Sequence, residues 1–258
     1  MIEAGRVRVD GRVVTRPGHP VDTEATIEII SQEPYVSRGG EKLAGALTDF
    51  CIDPMDFVCL DIGSATGGFT DCLLKHGAVR VHSLDVGSEQ LDRRLRHDPR
   101  VVVHEKFNAR YLEPQDIGER VDLATIDVSF ISLKLILPPL DRIVKRSGEI
   151  VALVKPQYEA GKDRLGRNGV IKEEAIHLQV LQGLEAFIDE MTPWTVAGVT
   201  VSPLLGPAGN IEFFFHLSRQ RPDRHCVSEQ DLVDIVSRAH AVIGCEEKLL
   251  GSKGPASF

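Results

Sequence analysis

The sequence predicts an α/β protein: a Rossmann-like, mostly parallel sheet flanked by helices, with its last strand antiparallel and a small β-rich piece in front. Three observations carry this. The apolar run Val58-Cys59-Leu60 reaches Asp61 and then turns through the glycine loop Gly63-Ser64-Ala65-Thr66-Gly67-Gly68 into a helix-compatible run, Phe69 to His76. A second apolar run, Val79 to Leu84, ends in another acid, Asp85. Beyond it, short apolar runs alternate with helically spaced segments, the pattern of a parallel sheet joined by helices.

Taken in order, residues 1–30 stand apart. Arg6-Val7-Arg8-Val9 and Arg12-Val13-Val14 flank Asp10-Gly11, a strong hairpin signal, and Ala25 to Ile30 reads as another strand. This piece is too short to bury a core of its own. Ser31 to Pro34 is a linker. The segment Ser37 to Phe50 is a helix, with Leu43, Ala46, Leu47 and Phe50 at helical spacing. Strands follow near 57–61, 79–85, 101–105, 121–127 and 149–154, and helices near 68–76, 88–96, 132–145 and 171–190. Residues 156–170 contain Gly161, Gly166 and Gly169 among charged residues, a mobile loop beside the site. Strands near 194–202 and 210–217, with no helix between them, form an antiparallel hairpin that finishes the sheet. Residues 228–243 are an amphipathic helix, followed by a loose tail after Gly244. The expected units are residues 1–30, 31–220 and 221–258.

Composition narrows the function. The 258 residues are 42% hydrophobic and 26% charged, as in a water-soluble globular protein. Apolar stretches fall far short of the ~18 residues a membrane helix needs, and the first residues lack a secretory pattern. Five cysteines (Cys51, Cys59, Cys72, Cys226 and Cys245) at irregular spacing suit free thiols in a reducing cytoplasm. A net charge of -8 argues against a surface that binds nucleic acid all over, but permits one basic face. Arg93, Arg94 and Arg96 form one local basic cluster, and Lys162, Arg164 and Arg167 another. Either is also explained as a solvated face.

The glycine loop points to a ligand class. A dinucleotide fingerprint needs Gly-x-Gly-x-x-Gly to seat a pyrophosphate. Here the spacing is Gly63, Gly67, Gly68, and Asp61 stands just before it. An acid repels a pyrophosphate but can hold an ammonium, so the loop favours S-adenosylmethionine over NAD. Asp85, at the end of the second strand, suits the two donors of a ribose diol. Glycine-rich turns also occur with no ligand.

Four charged residues fall at the carboxyl edge of the expected sheet, where open α/β folds bind ligands. Asp127 ends the fourth core strand and Lys155 the fifth, Glu212 begins the last, and Lys42 lies on the preceding helix. Two lysines and two acids in one place are chemically coherent, since a buried charge needs a partner. The alternative is a set of unrelated edge charges, solvated or paired locally.

Five segments then carry a resemblance: Ser37-Arg38-Gly39-Gly40-Glu41-Lys42-Leu43, the loop from Asp61 to Asp71, Asp127-Val128-Ser129-Phe130-Ile131-Ser132-Leu133, Lys155-Pro156-Gln157-Tyr158-Glu159-Ala160-Gly161, and Gly206 to Phe213. In this order they resemble the TlyA family of FtsJ-like, S-adenosylmethionine-dependent rRNA 2′-O-methyltransferases, often labelled hemolysins. The resemblance implies a class I methyltransferase sheet, a ribosomal RNA or ribosomal-subunit partner, cytidine as the methylated nucleoside, no membrane insertion and a cytoplasmic location. It places Lys42, Asp127, Lys155 and Glu212 on the family's catalytic set. It places Asp61, Gly63, Ser64, Thr66, Gly67, Gly68, Phe69, Asp85 and Asp127 on the cofactor site, with Asn108 where adenine is contacted. Residues 4–11 resemble the second half of an S-four type RNA-binding domain; the first half, with its basic helices, is not in this sequence. Ser64-Ala65 in the glycine loop and Tyr158 in place of a usual Phe are conservative departures.

The chemistry can be argued separately. A ribose 2′-hydroxyl is a poor nucleophile and needs a base within hydrogen-bond reach. Lysine serves when burial or a neighbouring cation lets it shed its proton. The expected arrangement is Lys155 as base, Lys42 as its neighbouring cation, and Asp127 and Glu212 orienting the amines. A hydride-transferring enzyme, a membrane-active hemolysin and a catalytically silent RNA-binding module are the rival readings.

Overall fold

The structure is a computed structural model that describes Ile2 and residues 7–29, 34–219 and 227–251, without the side chains of Lys162, Arg167 and 243–251. The junctions expected at 30/31 and 220/221 and residue Cys226 lie outside the described residues, as do the side chain of Cys245 and the tail beyond Gly251.

The front piece folds as the hairpin signal requires. Strands β1 (Val7–Val9) and β2 (Arg12–Val14) turn at Asp10-Gly11, both at positive φ, and β3 (Ile27–Ile29) pairs antiparallel to the other side of β1. Asp10 ties the far strand in: its Oδ1 accepts from Thr26 N at 2.9 Å.

The main body begins with helix α1 (Arg38–Asp49), whose buried side carries Leu43, Ala46 and Leu47 together with Lys42. Strand β4 (Val58–Ile62), helix α2 (Gly68–Lys75), strand β5 (Arg80–Leu84), helix α3 (Arg93–Arg96) and strand β6 (Val101–His104) form one half of the sheet. Helix α4 (Pro114–Ile117), strand β7 (Val121–Ile126), helix α5 (Leu133–Ile136), strand β8 (Val144–Val154) and helix α6 (Pro156–Glu159) continue it. Helix α7 (Glu174–Met191), strands β9 (Thr195–Val201) and β10 (Phe213–Ser218), and helix α8 (Glu229–Gly251) complete it.

The strand order is β6-β5-β4-β7-β8-β10-β9. Strands β4 to β8 pair in parallel, whereas β10 runs antiparallel to both β8 and β9. The carboxyl ends of the parallel strands and the start of β10 therefore share one edge; Phe213 pairs with Val154. The sheet is buried on both faces. Leu60, Ile62, Phe213 and Phe215 pack into one apolar cluster, and the alternate residues Cys59 and Phe214 into the other.

Four expectations are corrected. The helix expected over 88–96 shrinks to a single turn, because Asp92 caps it late: its side chain accepts from Arg94 N, and Glu89 before it is left-handed. The helix expected over 132–145 stops at Ile136. Pro138 and Pro139 carry no N–H donors, so a short 3₁₀ turn follows and β8 opens at Val144 rather than near 149. The 156–170 loop holds α6 and two 3₁₀ turns. Helix α8 runs on to Gly251 instead of loosening after Gly244.

Candidate active site at the carboxyl edge of the sheet

The glycine loop joins β4 to α2. Its closest approaches are to protein. A Cβ on Gly63 (φ +84°) would come within 2.3 Å of the Asp127 carbonyl oxygen, and one on Gly67 (φ +95°) would meet the Leu91 and Leu95 side chains. These glycines let β4 and β7 release their chains side by side and let the loop lie flat on α3. Gly63 N and Ser64 N both donate to Leu84 O, at 2.8 and 3.2 Å. Helix α2 then begins with Gly67 as N-cap and no side-chain cap. Its first turn thus presents backbone N–H groups and the positive end of the helix dipole. A cleft of about 460 Å³ lies there, bordered by Lys42, Gly63, Ser64, Thr66, Phe69 and Asp127.

The other expected cofactor residues divide. Asp61 is fully buried, with Oδ2 accepting from Thr70 Oγ1 at 2.7 Å and Oδ1 from Thr125 Oγ1 at 3.3 Å. Burial pushes its carboxyl up to about 7, against the pull of the Thr70 bond. It braces the loop from behind and does not itself border the cleft. Asp85 does stand at the strand end. One oxygen accepts from Ala65 N at 2.9 Å and the other from Gly87 N at 2.7 Å, fixing the carboxylate while leaving each oxygen a free lone pair. It does not border the 460 Å³ cleft but joins it through Ala65, one of the cleft's lining residues. Asn108 is exposed after β6 and uses Oδ1 to accept from Arg110 N at 3.0 Å.

The four charges resolve into two ion pairs. Lys42 Nζ meets Glu212 Oε2 at 2.5 Å, with Glu212 1% exposed. Lys155 Nζ meets Asp127 Oδ1 at 2.5 Å, as a charge contact rather than an aligned hydrogen bond, and donates to Ser129 Oγ at 3.1 Å. Lys42 and Asp127, one from each pair, border the same cleft. Each lysine has a carboxylate of its own. Glu212 Oε1 is buried without a hydrogen-bond partner, and it faces Gly206, where a Cβ would lie 2.5 Å away.

A second cavity of about 610 Å³ adjoins the first, the two sharing Pro207. Phe130 lines it with Tyr158, ring centres 5.0 Å apart. Phe130 is 88% exposed and sits at φ +63°, a strained position for a bulky residue. Buried Asn210 closes the far side, accepting from Ile171 N at 3.0 Å and donating to Gly169 O at 3.1 Å. Ser129, Glu159 and Asn210 were not singled out from the sequence. Ser129 and Glu159 lie two and four residues past Asp127 and Lys155, and proximity to an edge charge was the available signal.

The basic cluster of Arg93, Arg94 and Arg96 is partly neutralised. Arg94 pairs with Asp92 at 3.0 Å and Arg96 with Glu105, while Arg164 bonds Gln179. Among the described residues no group of three His, Cys, Asp or Glu side chains is placed to hold a metal, and no helix is long and apolar enough to cross a membrane.

With this geometry in hand, comparison with known proteins is specific. The FtsJ-like methyltransferase family model matches residues 35–219, and the S4 domain model residues 1–27. The chain is 44% identical over 241 residues to the 16S/23S rRNA (cytidine-2′-O)-methyltransferase TlyA of Mycobacterium tuberculosis, covering 93% of this chain and 89% of that protein. It is 39% identical over 218 residues to hemolysin A of Brachyspira hyodysenteriae, covering 84% and 90% respectively. A solved structure from Streptococcus thermophilus, provisionally named a hemolysin, superposes with a TM-score of 0.82 at 40% identity, covering 96% of this chain and 90% of that one.

Proposed function

The chain belongs to the FtsJ-like methyltransferase family, and from that membership we propose that it methylates the 2′-hydroxyl of a cytidine in ribosomal RNA, with S-adenosylmethionine as donor and Lys155 as general base. The observation that carries this is the pair of acid–lysine contacts bordering a cleft at an uncapped helix N-terminus.

The residues suit the donor. The first turn of α2 offers N–H groups to a carboxylate, Asp85 offers two lone pairs to a ribose diol, and Asn108 lies beyond it for the adenine. About 460 Å³ is within the usual range of small-molecule sites. When bound, S-adenosylmethionine supplies an electrophilic methyl on a sulfonium sulfur. Lys155, deprotonated, takes the hydroxyl proton as the 2′-oxygen attacks, and Asp127 keeps its Nζ beside the cleft. Lys42, held by Glu212, adds a fixed positive charge for the oxygen as its proton leaves.

The cavity with Phe130 supports an RNA substrate. A largely exposed aromatic ring beside a cleft suits an unstacked base, the usual form in which single-stranded RNA is read. The S4 domain match at 1–27 supports the same partner, with units at 1–30, 31–220 and 221–258 and work in the cytoplasm. Cytidine is taken from the TlyA relative. The hemolysin names are names, and no feature of the site favours that activity.

The test maps 2′-O-methylation in rRNA from cells with the gene, without it, and with Lys155→Arg. A site present only with the wild-type gene supports the proposal. Wild-type methylation by Lys155→Arg would sink the base assignment, because a guanidinium stays protonated.

A further inference from the structure

The loop that follows Asp127 is fastened to the segment that follows Lys155 at three successive points. Ser129 Oγ accepts from Lys155 Nζ at 3.1 Å. Phe130 lies against Tyr158, ring centres 5.0 Å apart. Glu159 takes both donors at the start of α5: Ser132 Oγ donates to Oε2 at 2.5 Å and Leu133 N to Oε1 at 2.8 Å. The fastening holds a loop whose Phe130 is left-handed, a conformation that persists only where the surroundings impose it.

Lys155 Nζ is a tetrahedral nitrogen bonded to one carbon. Ser129 at 3.1 Å takes one of its three remaining directions, and the Asp127 carboxylate lies 2.5 Å away as a charge contact without an aligned N–H. We infer that Ser129 is a positioning residue for Lys155, setting the direction in which Nζ meets the substrate hydroxyl, and that Glu159 anchors the loop that keeps Ser129 in place. This rests on Lys155 being the base, as proposed above.

The balance is simple. A neutral amine carries two hydrogens and one lone pair. With one hydrogen directed to Ser129, rotation about Cε–Nζ is restrained and the lone pair is held in a fixed direction. The 2′-hydroxyl proton moves onto it, Nζ becomes an ammonium, and the extra proton later leaves to solvent. Ser129 makes and breaks no covalent bond. Without Ser129 the amine turns about Cε–Nζ, and its lone pair meets the hydroxyl only part of the time.

The experiment measures single-turnover methylation of rRNA purified from cells lacking this gene, with isotopically labelled S-adenosylmethionine. It compares wild type, Ser129→Ala, Ser129→Thr, Glu159→Gln, Lys155→Ala and the Ser129→Ala/Lys155→Ala double variant. Donor affinity is followed by calorimetry, the KM for RNA by titration, and folding by thermal melting. Ser129→Ala is expected to lose about tenfold in rate, the upper scale of one ordinary hydrogen bond, with KM, donor affinity and melting unchanged. Ser129→Thr retains the hydroxyl and is expected to stay within about twofold. Glu159→Gln gives up one of two acceptor roles and falls between them. Since Ser129 acts through Lys155, the double variant should be no slower than Lys155→Ala alone. A wild-type rate for Ser129→Ala beside an inactive Lys155→Ala overturns the positioning role and leaves the base standing. Losses that multiply in the double variant, or that appear in KM, also overturn it. A wild-type rate for Lys155→Ala overturns the base and this inference together. If Glu159→Gln does not fold, the exposed Ser129 variants still decide.

Discussion

Replacing Asp61 by Asn should flatten the dependence of this protein's stability on pH. Asp61 is fully buried at the end of β4, and desolvation raises its carboxyl from the ordinary 3.8 to about 7. The folded protein thus binds a proton here more tightly than the unfolded chain does. Its contribution to stability is complete below pH 4 and is lost as pH rises through 7. Over that interval, at about 1.4 kcal/mol per pH unit, the loss is roughly 4 kcal/mol. Asn stays neutral throughout and keeps the shape. Its oxygen can accept from Thr70, and its amide can donate to Thr125, whose hydroxyl has lone pairs to spare. Urea unfolding of both proteins between pH 4.5 and 8.5 provides the measurement. The difference, Asn minus wild type, should climb with pH and level off near 8, with every other titrating group cancelling. A difference that stays constant across this range would show that Asp61 is ionised in the folded protein at all these pH values and would refute the reasoning.

Three further outcomes are expected. Glu212→Ala strands Lys42, only 10% exposed in its side chain, and should destabilise by about 3–5 kcal/mol; the Lys42→Met/Glu212→Leu double variant, measured by denaturant titration, should recover most of that while remaining inactive. Asp85→Ala removes the carboxylate braced by Ala65 N and Gly87 N and should weaken S-adenosylmethionine binding by roughly 1.5–3 kcal/mol; equal affinities in calorimetry would count against the ribose contact. Gly63→Ala drives a Cβ to 2.3 Å from the Asp127 carbonyl at a left-handed φ, so methyl transfer should drop even where melting changes little, and an unaltered rate would mean the two strand ends are free to part.

The sequence made the sheet legible because each core strand is a short apolar run ending at an acid, a lysine or a glycine. It also placed Asp127, Lys155 and Glu212 at one edge, since strand ends in a parallel sheet converge by topology. The partnering of these charges was not legible. Whether Lys42 meets Glu212 or Asp127 depends on the rotation of α1 against β10, and helical spacing leaves that rotation open. The partners of Asp61 were not legible for a related reason. An acid before a glycine loop reads the same whether it faces a ligand or, as here, two threonines behind the loop. Helix lengths failed where local chemistry overrode periodicity, at Pro138-Pro139 and at the late Asp92 cap.

The place of β10 has a consequence for how the chain is made. Lys42 and Glu212 are 170 residues apart in sequence, and the strand that Glu212 leads into lies between two that were synthesised earlier. A chain emerging from the ribosome therefore presents Lys42, the glycine loop, Asp127 and Lys155 before the carboxylate for Lys42 exists. At some 5–20 residues per second, the interval between Lys155 and Glu212 lasts several seconds. Until then β8 has a bare edge and the sheet cannot close. Chains cut short before Phe213 would lack the last wall of the site, so competence for methyl transfer arrives only when translation of the domain is nearly finished.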